Sequence, residues 1–67
     1  NKRRTLMYNY FVIFKPKGEV SYRLYTTQIF TQEKDGTEFA FKSIGKKVDY
    51  KVVEYNKENI KEYWSKL

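Results

Sequence analysis

The chain has no cysteine and no histidine, only one proline and only three glycines. Each shortage removes a class of function. Without cysteine there is no disulfide framework, no thiolate metal site and no cysteine nucleophile. Without histidine the commonest general base near neutral pH and the commonest metal ligand are missing. The longest apolar run, Tyr10 to Phe14, falls far short of the roughly 18 residues a membrane-spanning helix needs. Gly18, Gly36 and Gly45 each fall in an expected turn, so no phosphate-cradling or dinucleotide-binding glycine pattern exists. Ser21, Ser43 and Ser65 have no histidine to activate them. The carboxylate pairs Glu33 with Asp35 and Glu58 with Glu62 lie in polar segments among lysines, not in the apolar pockets that acid–base catalysis uses. A non-catalytic protein with no metal, no cofactor and no membrane partner is therefore expected, in the cytoplasm.

Two features are in excess instead. Fourteen Lys and Arg against eight Asp and Glu give a net charge of +6, and 19% of the residues are aromatic: seven Tyr, five Phe and one Trp. A chain of 67 residues is at most one domain, and one this small buries only about 60% of its unfolded surface. Large rings answer that shortage, since each buries some 150–250 Å². The aromatics therefore read mainly as core, with a tyrosine-bearing binding surface as the alternative.

The pattern predicts a basic arm over residues 1–4 and one domain over residues 5–67. Thr5 to Phe14 reads as a strand: Leu6, Tyr8, Tyr10, Val12 and Phe14 share one face, and Phe11 and Ile13 make its second half apolar on both. Such a strand belongs in the middle of a sheet. Lys15-Pro16-Lys17-Gly18 is a turn signal. Val20 to Phe30 reads as the returning strand, with a change of phase near Leu24 and Tyr25 that suggests a bulge. Asp35-Gly36 reads as a hairpin turn leading into a third strand, Thr37 to Ile44, with Phe39 and Phe41 inward. Lys47 to Tyr55 reads as a fourth. Asn56 is a helix cap, and Ile60, Tyr63, Trp64 and Leu67 then recur at helical spacing. The expected fold is α+β and mainly β. It is a four-stranded antiparallel meander, open or curled into an SH3-like barrel, with a C-terminal helix packed on one face.

The charge is unevenly spread. Residues 1–17 carry Lys2, Arg3, Arg4, Lys15 and Lys17 and no acid, a local +5. In a meander the turns at residues 15–18 and 45–47 can meet at one end of the sheet. That would gather Lys15, Lys17, Lys46 and Lys47 into one patch. Such a field attracts phosphate backbones, although lysines at turn tips also keep small β proteins soluble. Arg23, Tyr25 and Lys51 can share the outer sheet face, a minimal surface for stacking an unpaired base, with Tyr25 filling the inner side of the sheet as the alternative. The ten residues Lys2, Arg3, Arg4, Lys15, Lys17, Arg23, Tyr25, Lys46, Lys47 and Lys51 are thus the candidate nucleic-acid contacts.

This element order looks like two groups of DNA binders: the small chromosomal proteins built as SH3-like barrels ending in a helix, and the sheet-plus-helix arm domains of integrases. The resemblance is one of element order alone. It implies a nucleic-acid partner, DNA or RNA. The aromatic load motivates the alternative, a protein-interaction or inhibitor domain that meets an acidic protein surface or pairs with itself through a strand edge. The small size, with its Lys, Asn and Tyr content, would suit a phage or mobile-element protein.

Overall fold

A computed structural model of the chain describes residues 9–65. The basic arm and the first four residues of the expected first strand lie outside them. The element order is β1 (Tyr10–Lys15), β2 (Arg23–Leu24), α1 (Glu33–Ser43), β3 (Asp49–Glu54) and α2 (Lys57–Asn59), which widens into a π-helical turn over Ile60–Trp64. Among the described residues the strands form one open antiparallel sheet in the order β2-β1-β3. The protein is a small α+β domain. The expected four-stranded meander and its SH3-like curl are corrected: the third strand is a helix, and β2 and β3 are open edges. The helix between β2 and β3 also removes the element order on which the resemblance to DNA binders rested.

Strand β1 is central because both its faces are apolar. Phe11, Val12 and Ile13 are at most 1% exposed. On one face Val12 packs with Phe30, Ala40 and Ile44, and Phe14, Tyr25, Phe39, Val48, Tyr50 and Val52 close around them. Helix α1 covers this face. On the other, Phe11 meets Tyr55, Tyr63 and Trp64 edge to face, with ring centroids 5.8–6.1 Å apart. The helical segment after Asn56 lies there. Its entry is fixed by the Asn59 amide donating to Asn56 Oδ1 at 2.8 Å, the side-chain cap that satisfies an otherwise orphaned amide.

Segment 37–44 coils instead of extending because its buried residues are spaced for a helix. Gly36, Phe39, Ala40 and Ile44 turn to the sheet, at i, i+3, i+4 and i+8. Phe41, expected inward, is 58% exposed. Glu33 and Asp35 in the first turn and Lys42 in the last suit the helix dipole. Glu38 and Lys42 pair at 3.3 Å across one turn. Gly45 ends the helix in the left-handed region at φ +69. Gly36 serves no hairpin turn. It lets α1 approach β3, and a Cβ there would stand 3.0 Å from Val52 Cγ1.

The returning strand is also shorter than expected. Ile13 pairs with Leu24 and Phe14 with Arg23, but Tyr10 pairs with Phe30. Unbroken pairing would place residue 27 there. The three extra residues bow out of the sheet, where the change of phase near Tyr25 suggested a bulge. No helix of the described residues is long and apolar enough to cross a membrane.

Candidate nucleic-acid interface

The connection from β1 to β2 begins with a turn closed by the Glu19 amide donating to Pro16 O at 3.0 Å, with Gly18 at φ +89. A non-glycine residue is strained in that conformation. The connection from α1 to β3 turns at Gly45. Because β3 runs antiparallel to β1, with Lys15 opposite Asp49, the two connections meet at one end of the sheet. Lys15, Lys17, Lys46 and Lys47 line one hollow of about 220 Å³ there, together with Glu19 and Asp49. These six side chains sum to +2.

Ion pairs divide the lysines. Lys15 Nζ lies 3.7 Å from Asp49 Oδ2, and Arg23 Nη2 lies 3.4 Å from Glu19 Oε1. Among the described residues Lys17, Lys46 and Lys47 have no ion-pair partner, and all three are exposed. They are the lysines of this hollow left to meet an anionic ligand. Exposed pairs such as these contribute little to stability, so the hollow is a site of uncommitted charge and not a structural clamp.

Arg23, Tyr25 and Lys51 do not share a surface. Tyr25 packs into the α1-side core, 5.3 Å from the Phe14 ring and 6.1 Å from Phe39. The outward placement that base stacking needs is corrected in favour of the inward one, because Phe14 and Phe39 bury more of the ring than solvent leaves. Lys51 pairs with Ile13 on the opposite face. Its ammonium lies 4.7 Å from the centre of the Tyr22 ring, and Lys15 Nζ approaches the same ring at 5.7 Å. Tyr22 was not among the residues read from the sequence as candidates. The signal for it was its period-two spacing from Leu24, which puts it on the Lys15 and Lys51 face once the strands are paired. Tyr22 thus joins Lys51 to the hollow through Lys15. Lys2, Arg3 and Arg4 lie outside the described residues.

No protein-family model matches the chain, and neither a curated protein nor a solved structure does.

Proposed function

We propose that the protein is a small non-catalytic nucleic-acid-binding module that holds the phosphate backbone by electrostatic contacts. The observation that carries this reading is the meeting of Lys15 and Lys17 with Lys46 and Lys47 around one hollow, from two turns far apart in the sequence. Lysines placed only for solubility need no common focus. A phosphate seated there would meet Lys17, Lys46 and Lys47 without first breaking an ion pair. Lys51 and Arg23 would contact the flanking backbone, and the Lys2-Arg3-Arg4 arm would follow it further. Tyr25 has no part in this proposal.

The test is binding to duplex and single-stranded DNA and RNA as a function of salt. Phosphate contacts make log K fall linearly with log salt, at about −0.9 per phosphate neutralised on duplex DNA. Micromolar binding with a slope of about −3 is expected for the three unpaired lysines alone. The absence of any complex at low salt overturns the reading. A second reading, a domain that binds or inhibits another protein, is favoured by the exposure of Phe41 beside Tyr50, which together line a groove between α1 and β3. A protein complex that survives high salt would favour it over the first.

A further inference from the structure

Strand β3 is an edge, and among the described residues its outer side pairs with nothing. Its free backbone groups can be assigned. The Tyr55 amide donates to Asn9 O at 2.7 Å, and antiparallel ladder bonds repeat every second residue. Asp49, Lys51 and Val53 therefore direct their amides at β1. Val48, Tyr50, Val52 and Glu54 direct theirs outward. Glu54 O already accepts from the Asn56 amide at 3.0 Å and from Asn59 Nδ2 at 2.8 Å. The open edge thus runs from Val48 to Val52, and such an edge is a template for another strand.

We propose that its occupant is β3 of a second copy of this chain, running antiparallel with Tyr50 opposite Tyr50. Charge selects both the partner and the register. Asp49 and Lys51 stand two residues apart on the sheet face away from α1, the face of Lys15 and Ile13, where Asp49 also meets Lys15 and the Lys51 ammonium rests over Tyr22. In this register Asp49 of each copy lies across from Lys51 of the other, so the two-fold axis makes the attractive pair twice. Val48 lies across from Val52. Keeping the outward amides paired allows only shifts by an even number of residues. The two neighbouring registers put Asp49 against Asp49 or Lys51 against Lys51.

The apolar surface agrees. Phe41 is 58% exposed and lines two adjoining hollows beside the edge, each shared with Tyr50. A two-fold axis normal to the sheet keeps both α1 helices on one side. Phe41 and Tyr50 of each copy then converge over the seam, which removes from water the most exposed aromatic ring among the described residues. This proposal stands independently of nucleic-acid binding.

Sedimentation equilibrium of the full chain tests it, with far-UV circular dichroism as the control for folding. The mass is expected to rise with concentration from 8.2 kDa towards twice that value. Asp49→Lys and Lys51→Asp each turn two attractive pairs repulsive and are expected to weaken association by roughly tenfold or more. The double variant carrying both changes sets a lysine at position 49 beside Lys15 but restores opposite charges in both pairs across the seam, and it regains association. An equimolar mixture of the two single variants also associates again. A wild-type chain monomeric up to about 1 mM, the weak end of specific association, overturns the proposal. So does a dimer that neither single change weakens.

Discussion

Gly36 and Val52 face each other across the contact between α1 and β3 so closely that a Cβ on Gly36 would sit 3.0 Å from Val52 Cγ1 and 3.4 Å from Phe30 Cδ2. Glycine in a helix costs about 1 kcal/mol relative to alanine. The residue is kept for space. Gly36→Ala gains that propensity and collides with Val52, and overpacking costs about 1–3 kcal/mol. A net loss of about 1 kcal/mol is expected in urea unfolding. In a Val52→Ala background the collision is gone and the same change becomes stabilising. Equal effects in the two backgrounds would contradict the close approach.

Phe11 anchors the opposite face. Its ring is fully buried and meets Tyr55, Tyr63 and Trp64 edge to face. Phe11→Ala should cost about 3–5 kcal/mol, as much as the whole stability of a domain this size. Trp64 is the single tryptophan, so its fluorescence reports this face directly. The variant is expected to show the emission of an unfolded chain at 25 °C, and Phe11→Leu a native spectrum with a lowered melting temperature. A native spectrum for Phe11→Ala would refute the packing.

The Asn56 cap makes a smaller and more local prediction. Asn56 Oδ1 accepts from the Asn59 amide, and Asn59 Nδ2 donates to Glu54 O. Asn56→Ala removes the cap at a cost of about 1 kcal/mol. Asn56→Asp keeps an acceptor in place and should lose much less. Hydrogen exchange is expected to accelerate in residues 57–64 of the alanine variant while β1 stays protected.

Tyr63 supplies the pH dependence. Burial, and then the neighbouring Glu62 charge and hydrogen bond, push its phenol above the usual value of 10.0, with Tyr22 adding to the effect. The folded state therefore favours the neutral phenol. Its contribution is fully present below pH 10 and is lost as the pH rises through the raised value. Wild-type stability should fall more steeply above pH 10 than that of Tyr63→Phe, with the two curves parallel at neutral pH. Parallel curves throughout would show that Tyr63 does not titrate differently on folding.

Much of this arrangement is legible from local pattern. The two-faced apolar run Phe11–Ile13 marks a central strand, Asn56 marks a cap, and the turns at Gly18 and Gly45 fall where the chain reverses. The meeting of Lys15 and Lys17 with Lys46 and Lys47 follows from those reversals, and it survives the change of topology. It needs only that β3 run antiparallel to β1. What misleads is Phe39 and Phe41. Their alternation imitates a strand, whereas the decisive residues are the small ones, Gly36 and Ala40, which carry little pattern signal yet lie against the sheet. Tyr25 is lost for a related reason. Whether its ring turns in or out depends on Phe39, which reaches it only once residues 33–43 coil.

The central claim is that the charge at one end of the sheet, and not charge in general, binds nucleic acid. Two variants of equal net charge separate these. One replaces Lys17, Lys46 and Lys47 with glutamine. The other replaces the exposed Lys34, Lys57 and Lys61. Each removes three of the +6 charges. In a salt-titrated duplex-binding assay the first is expected to lose most of its affinity, with the log–log slope reduced by about 0.9 for each phosphate contact removed. The second should keep a near wild-type slope. Equal losses in both variants, or a wild-type chain that binds no nucleic acid, would contradict the account.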